Sequence, residues 1–342
     1  MRSIKIFICA NLLLFYFLGC AGEKDNVKIN YRELDEKALK IMKIAEDHYN
    51  KKNYFRARRN YKKVVNEYPK SNYADDAQFN IAKIFYERES YMRAIEEYEK
   101  LIDDFPASEK IPEAAQNLYS IGEIYWGKGK RYDAVETFKK AVESYPFGKF
   151  APDIQFRIAN YYFEEKEYQD AITHFEKLLR LYPDHPAKSL SEYKLALSYF
   201  EASLHWALDQ DNLNKTISQF NKIIMQNPDG PYTYDAKKKI EVCKDRLAKR
   251  QFMIAENYFK DDKYEAADIY YKTVLVNYPE TIWASYAQFG MAEILRKNNE
   301  WDKAIKAYRK LIADYPESDL EEKALKRIDE MNRMIAKEGN EK

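Results

Sequence analysis

Glycine and histidine are scarce in this sequence. It has nine glycines in 342 residues, and none of them forms a glycine-rich phosphate loop or a Gly-x-Ser-x-Gly elbow. Its basic and acidic residues nearly cancel, at 57 and 56, so the chain lacks the positive block that nucleic-acid binding requires. These features argue against an enzyme, a cofactor, a metal site and a nucleic-acid partner. The four histidines are scattered and lack metal-ligand spacing: His48, His174, His185 and His205.

Cysteine is also rare, with three residues, so a disulfide framework is not expected. Cys243 stands next to Lys244 and close to Arg246, and such positive charges lower a thiol pKa. It also falls on the apolar side of a predicted helix. We therefore favour a buried, unreactive thiol over a reactive one.

No hydrophobic run in the first residues is long enough to cross a membrane. Arg2 and Lys5 precede an apolar run of 13 residues that ends at Leu18, whereas a spanning helix needs about 20. This pattern is typical of a secretory signal that is later removed, which we place at residues 1–19.

The pair Gly19-Cys20 follows this run and resembles the lipobox of bacterial lipoproteins. The resemblance implies that the signal is cut before Cys20 and that Cys20 becomes the acylated first residue. Phe17 and Leu18 depart from the usual lipobox, so a secreted protein with a chance cysteine remains the alternative. Residues 20–35 are predicted to form a flexible tether between the lipid and the folded part.

A repeated dipeptide divides the rest of the chain. An aromatic residue or asparagine precedes proline seven times, at intervals of 37 to 51 residues. Alanine or threonine, then an aromatic residue, then an aliphatic residue stand 12, 8 and 5 positions before each proline. These offsets place the three side chains on one face of a helix, and the proline ends that helix. Ser71, Ser108 and Ser318 are candidate N-caps of the next helices. The seven dipeptides are Tyr68-Pro69, Phe105-Pro106, Tyr145-Pro146, Tyr182-Pro183, Asn227-Pro228, Tyr278-Pro279 and Tyr315-Pro316.

An earlier helix in each repeat carries a small residue nine or ten positions before an aromatic residue, as in Ala82 and Tyr91 or Gly122 and Tyr132. This order resembles the tetratricopeptide repeat, a pair of helices A and B. We predict an all-α tetratricopeptide-repeat solenoid of about seven repeats with a C-terminal capping helix at residues 318–337. The many tyrosines are interpreted as packing residues, with an aromatic-lined peptide groove as the alternative.

The repeat rhythm is interrupted between Pro231 and Pro279, where no glycine or proline occurs. A continuous helix from Thr233 to Asp261 is therefore predicted. We divide the chain there into an N-terminal arm of five repeats, residues 36–230, and a C-terminal arm, residues 231–338, that contains the long helix, two repeats and the cap.

Several stretches resemble the BamD family of tetratricopeptide-repeat lipoproteins, which belong to the outer-membrane β-barrel assembly machinery of Gram-negative bacteria. They cover about residues 117–281: ESYPFGKF (143–150), LYPDHP (181–186), CKDRLAK (243–249), IAENYFKDDKYEAA (254–267) and NYPET (277–281). The resemblance implies a non-catalytic scaffold that is lipid-anchored in the outer membrane and faces the periplasm. The implied partners are the periplasmic domains of the barrel-forming subunit, with unfolded outer-membrane proteins as possible substrates.

The resemblance also supplies candidate partner-binding residues by position. For the candidates in the long helix, the alternative of equal weight is that Asp245 and Lys249 only form an ion pair along the helix. For the YPFG stretch, the alternative to a partner-binding site is an ordinary turn. The candidates are Lys244, Asp245, Arg246, Lys249, Arg250, Tyr145 and Phe147.

The two repeats at residues 46–106 precede the position of the family's usual first repeat, and they either extend or block a substrate groove. They also resemble periplasmic adaptors of the Tol–Pal system. That function, or another envelope-assembly scaffold, is the alternative hypothesis.

Overall fold

The computed structural model describes residues 30–205 and 210–340, which form fifteen α-helices and no strand. Fourteen of these helices form seven A–B pairs, and the last follows as a cap. The predicted repeat number and the all-α tetratricopeptide-repeat fold are therefore confirmed. The helices are α1 (Tyr31–Asn50), α2 (Tyr54–Glu67), α3 (Ala74–Glu87), α4 (Tyr91–Asp104), α5 (Ile111–Gly127), α6 (Arg131–Ser144), α7 (Ala151–Glu164), α8 (Tyr168–Leu181), α9 (Lys188–His205), α10 (Gln210–Gln226), α11 (Thr233–Lys260), α12 (Tyr264–Asn277), α13 (Ile282–Lys297), α14 (Trp301–Asp314) and α15 (Glu321–Asn340).

The predicted face of each helix B is buried. Ala57, Tyr61 and Val64 of α2 are at most 1% exposed, and the equivalent residues of the other six repeats are buried as well. Each helix with a following aromatic–proline pair ends one residue before the aromatic residue, whose backbone leaves the α region. Tyr68, for example, has φ −131° and ψ 47°. The proline thus ends helix B as the sequence predicts.

The small residues of helix A allow close approach of helix B. A Cβ atom added to Gly122 of α5 would lie 2.4 Å from Cε1 of Phe138 in α6. Phe138 is fully buried and contacts the rings of Tyr119 and Trp126. The aromatic ring of helix B therefore occupies the space that a side chain at this position of helix A would need.

Ser71 and Ser108 are not N-caps, contrary to the prediction. Helix α3 begins at Ala74, three residues after Ser71, and the Ser71 hydroxyl donates to the carbonyl of Tyr68 at 2.8 Å. The Ser108 hydroxyl donates to Asp75 at 2.6 Å. The chain forms a hydrogen-bonded turn after the proline before it re-enters a helix. The Ser71 hydroxyl stabilises its own turn, whereas the Ser108 hydroxyl joins its turn to α3.

The chain forms two compact units, which end and begin at Ser108 and Glu109. The first contains α1 to α4 and the second α5 to α15. In the first unit, residues 31–35 of the predicted tether belong to α1. They are helical because the Asn30 side chain caps the helix and Asp35 accepts two hydrogen bonds of 2.9 Å from Asn72.

Helix α11 confirms the predicted long helix, with 28 residues. Its first half shares cores with α9 and α10, and its second half with α12 and α13. Helix α11 thus packs against repeats on both sides of its midpoint. The division into two arms at residues 230 and 231 stays a prediction.

Candidate partner-binding surface

Helix α11 holds the basic candidate residues in fixed positions because its opposite face is buried. Cys243 and Leu247 pack against Phe200 and Leu213. These residues recur every three or four positions, so the intervening side chains point away from the core.

The Cys243 thiol is fully buried. Burial raises the pKa of this thiol to about 11, although the nearby charges of Arg246 and Lys239 act in the opposite direction. At neutral pH it is therefore protonated, which agrees with the predicted unreactive thiol.

Lys244 extends from α11 to the turn between α12 and α13, where its ammonium group pairs with Glu280. The pair lowers the pKa of the Glu280 carboxyl, chiefly through the hydrogen bond from Lys244. Both side chains are more than one-third exposed, so the pair contributes little to stability. It connects the basic residues of α11 to the turn between α12 and α13.

Arg246 and Arg250 are partly buried and have contacts within the chain. The Arg246 guanidinium carbon lies 5.5 Å from the centre of the Phe200 ring, a cation–π contact. Arg250 donates to the side-chain oxygen of Gln210 at the start of α10. These two arginines therefore help to fasten α11 to the preceding repeat.

Lys249 is the exposed member of the group. Its ammonium nitrogen lies 5.4 Å from the centre of the Trp283 ring, and no ion pair joins it to Asp245. Trp283 also contacts Phe252 and Tyr286, and its indole N–H is buried with no hydrogen-bond acceptor within the described chain. Lys249 thus covers an aromatic cluster instead of forming the helical ion pair.

A cleft of about 610 Å³ lies beside these residues, between the turns that precede α13 and α15. Glu280, the partner of Lys244, lines it together with Asp314, Glu317 and Asp319, and Ile282 at its edge is 64% exposed. The sequence analysis did not identify this cleft. Its acidic residues Glu280, Glu317 and Asp319 lie in turns outside the helical repeat pattern, and the only sequence signal is that they follow Tyr278-Pro279 and Tyr315-Pro316.

The YPFG stretch forms the turn between α6 and α7. The Gly148 N–H donates to the Tyr145 carbonyl at 3.2 Å, and a Cβ at Gly148 would lie 2.9 Å from the Tyr145 ring. Tyr145 and Gly148 therefore shape the turn. Phe147 is different, because 86% of its surface is exposed and it is free to contact a partner. This turn and α11 are separate elements of the second unit.

His174 has a packing role inside the second unit. His174 stacks on Tyr162 at 5.2 Å between ring centres and lies 2.9 Å from the Gln155 amide nitrogen. Burial lowers the pKa of His174 to about 4, with Lys177 and Lys139 adding to the effect. Over residues 30–205 and 210–340, no three histidine, cysteine, aspartate or glutamate side chains are grouped to hold a metal ion.

The signal at residues 1–19, Cys20 and the tether up to residue 29 lie outside the described residues. Among the helices that are described, none has the length and apolar character of a membrane span.

Three comparisons relate the chain to known proteins. The chain is 24% identical to the outer membrane protein assembly factor BamD of Caulobacter vibrioides over 164 residues, which is 48% of this chain and 54% of that protein. It is 22% identical to BamD of Vibrio cholerae over 174 residues, covering 48% of this chain and 72% of the relative. The chain thus spans about half the length of the first relative. A crystal structure of a tetratricopeptide repeat protein from Parabacteroides merdae aligns with 86% of this chain and 99% of its own, at 14% identity and a TM-score of 0.29.

Two family models match the chain. The tetratricopeptide repeat model matches residues 286–318, within the seventh repeat. The model of the outer membrane lipoprotein family YfiO matches twice, at residues 34–115 and 112–297, so both compact units are included. This chain belongs to the outer membrane lipoprotein family YfiO.

Proposed function

We propose that this protein is a non-catalytic lipoprotein scaffold for the assembly of outer-membrane β-barrel proteins. Acylated Cys20 anchors it to the outer membrane, and its helices face the periplasm. It binds the periplasmic domains of the barrel-forming subunit, with unfolded outer-membrane proteins as possible substrates. The observation that carries the proposal is the family match over residues 34–297, together with relatives that are outer membrane protein assembly factors.

The candidate contact surface consists of exposed Lys249, the Lys244–Glu280 pair and the adjoining acidic cleft. It presents positive charge on α11 directly beside the carboxylates of the two turns. A surface that contains both signs of charge fixes the orientation of a partner as well as attracting it. The structure of α11 supports this role because the helix is packed on its inner side and exposed at Lys249.

In-cell crosslinking tests the partner. A photoreactive residue in place of Ile282 at the edge of the cleft, in the full-length chain, should capture a barrel protein with periplasmic domains, identified by mass spectrometry. The same residue in place of Met225 on α10, which is 81% exposed, serves as the control site. Capture of Tol–Pal or peptidoglycan-binding components at Ile282, without a barrel subunit, would show that the proposed partner is wrong.

Charge reversal at Lys249 should weaken binding of the barrel subunit about tenfold, because an exposed interface charge then repels its counterpart. Binding of purified Lys249→Glu to the subunit's periplasmic domains measures the effect. Lys237→Glu is the matched control, since Lys237 is also exposed on α11 and the net charge changes equally. Equal affinities for the two variants would mean that Lys249 does not contact the subunit.

Replacement of Cys20 by alanine should release the protein from the membrane fraction, because acyl chains supply the stable anchor. Fractionation of cells that express full-length wild type or Cys20→Ala measures this. Replacement of the buried Cys243 by alanine should leave the membrane attachment unchanged. A Cys20→Ala variant that stays with the membrane in high salt would contradict lipid anchoring at Cys20.

A further inference from the structure

Helix α2 of the first unit carries an unusual excess of positive charge. Five of its 14 residues are lysine or arginine, and Glu67 is its single acidic residue. Helix α4 is helix B of the next repeat in the same unit, and it has two basic and five acidic residues. The repeat fold does not require an excess of positive charge in helix B, because α4 forms the same kind of helix with more acidic than basic residues.

The charges of α2 lie on one exposed face. At 100° per residue, Phe55, Arg56, Arg59, Lys62 and Lys63 fall within an arc of about 120°. All five side chains are exposed, and Phe55 is 68% exposed. We call this set the α2 basic face. It combines four cations with one exposed aromatic ring at the start of the helix.

These cations are poorly neutralised within the chain. Lys63 has Glu67 at 3.9 Å, whereas no ion pair is found for Arg56, Arg59 or Lys62 among the described residues. The remaining arginine of α2, Arg58, lies off this face and contacts the Phe85 ring at 4.8 Å. Unpaired charges on one face create a positive potential that attracts an anionic surface.

The α2 basic face lies close in the chain to the proposed lipid anchor. The turn after α2 is held to Asp35, the fifth residue of α1, by two hydrogen bonds from Asn72. The C-terminal end of α2 therefore lies beside the start of α1, where the tether joins. Asn30 is ten positions after Cys20, and a fully extended chain of that length reaches at most about 36 Å.

We propose that the α2 basic face docks on anionic phospholipid headgroups of the membrane that holds the lipid anchor. This inference rests on the proposed anchoring at Cys20. The arginine and lysine side chains contact headgroup phosphates, and Phe55 enters the interface between headgroups and acyl chains. Each basic residue near an anionic bilayer strengthens binding about fivefold. The short tether keeps the face at a high local concentration near the bilayer. The first unit is thereby held against the membrane.

Vesicle binding tests the proposal without the acyl anchor. The full mature chain with Cys20→Ser should bind vesicles of phosphatidylglycerol and phosphatidylcholine more strongly than vesicles of phosphatidylcholine alone. Binding should be strong at about 0.01 M salt and lost at about 1 M, where the Debye length is about 3 Å. The triple variant Arg56→Gln, Arg59→Gln, Lys62→Gln should bind about 100-fold more weakly. Its helicity should be retained, because glutamine has a similar helix propensity.

Helix α14 provides a charge-matched control, because three of its basic residues stand at the repeat positions of Arg59, Lys62 and Lys63. Its Lys306, Arg309 and Lys310 are exposed and basic, so their triple replacement by glutamine removes the same charge from the second unit. This control should bind vesicles within about threefold of the parent. An equal loss in both triple variants would indicate a non-specific charge effect and overturn the proposal.

A fluorescence measurement tests the role of Phe55. Phe55→Cys, labelled with a polarity-sensitive dye, should show a blue shift when anionic vesicles are added. Met92 occupies the same position of α4 and is 72% exposed, so Met92→Cys is the control and should show no shift. The remaining cysteine, Cys243, is buried and should not be labelled.

Two further outcomes would overturn the proposal. One is binding to soluble polyglutamate without binding to anionic vesicles, which would assign the face to an acidic peptide. The other is equal blue shifts at Phe55 and Met92. Neither outcome affects binding of the barrel subunit by Lys249, so the scaffold function and the membrane-docking face can fail independently.

Discussion

Replacing Gly122 with alanine is expected to destabilise the second unit by about 2 kcal/mol, or about 4–8 °C in Tm. The added Cβ would lie 2.4 Å from one carbon of the Phe138 ring and 2.5 Å from another. The ring has little room to move, because Tyr119, Trp126 and Arg157 surround it. The steric cost exceeds the gain of up to about 1 kcal/mol that alanine brings to a helix. Thermal unfolding followed by circular dichroism measures the difference.

Gly127 gives a control in the same helix. A Cβ at Gly127 meets no atom within 4 Å, so Gly127→Ala should leave the Tm unchanged or raise it slightly. Adding Phe138→Leu to Gly122→Ala should relieve the clash, so the two substitutions should destabilise less than their sum. Equal Tm values for the two glycine variants would show that the close approach of α5 and α6 is not rigid.

Replacing Glu293 with glutamine is expected to destabilise the C-terminal repeat by about 2–3 kcal/mol. Glu293 is 8% exposed and accepts hydrogen bonds from Tyr308 of α14, Arg327 of α15 and Arg296 of its own helix. Its carboxylate thereby joins α13, α14 and the capping helix. Glutamine keeps one acceptor oxygen but removes the charge that both arginines face. Faster hydrogen exchange in α15, together with a lower Tm, would show the loss.

The same substitution should change the acid stability. Burial raises the pKa of the Glu293 carboxyl, but hydrogen bonds from Arg296 and Tyr308 and the charges of Arg296 and Arg327 outweigh it, so the pKa lies below its usual value of 4.5. A carboxyl with a lowered folded-state pKa stabilises the fold above the unfolded pKa, and this stabilisation is lost as the pH falls through the folded one. The Tm of the wild type should therefore fall more steeply below about pH 4.5 than that of Glu293→Gln.

Glu256 offers the matched control for Glu293. It occupies the equivalent place in α11 and accepts a hydrogen bond of 2.5 Å from Tyr271, as Glu293 does from Tyr308. No ion pair with arginine is found for Glu256 in the described structure, so Glu256→Gln should cost about 1 kcal/mol. Equal losses for the two variants would show that the arginines contribute nothing to the stability at Glu293.

The fold could be predicted from the sequence because its pattern repeats in every helix pair. Ala57, Tyr61 and Val64 lie on one helical face, and the same spacing occurs in the other six repeats. The fold prediction therefore does not depend on the pattern in any single repeat. The long helix α11 was predictable for a related reason. Glycine and proline break helices, and neither occurs between Pro231 and Pro279.

The contacts of individual side chains could not be predicted in this way. Arg246 packs on Phe200, which is 46 positions earlier, and Lys249 covers Trp283, which is 34 positions later. These contacts depend on the packing of non-adjacent elements, about which helical spacing says nothing. One signal was available but unused: a glutamate in helix A stands 15 residues before a helix-B tyrosine in Glu256–Tyr271 and Glu293–Tyr308, and both pairs are hydrogen-bonded.

The continuous helix α11 affects how the second unit can come apart. In a repeat array, partial unfolding normally stops at an interface between neighbouring repeats, and the array behaves as a one-dimensional chain of coupled units. Between the fifth and sixth repeats that interface is spanned by one unbroken helix with buried residues in both halves, such as Ile240 and Ala255. A boundary between folded and unfolded repeats is therefore disfavoured there. The fifth and sixth repeats should melt as one cooperative segment, so force applied at one is transmitted to the other through α11.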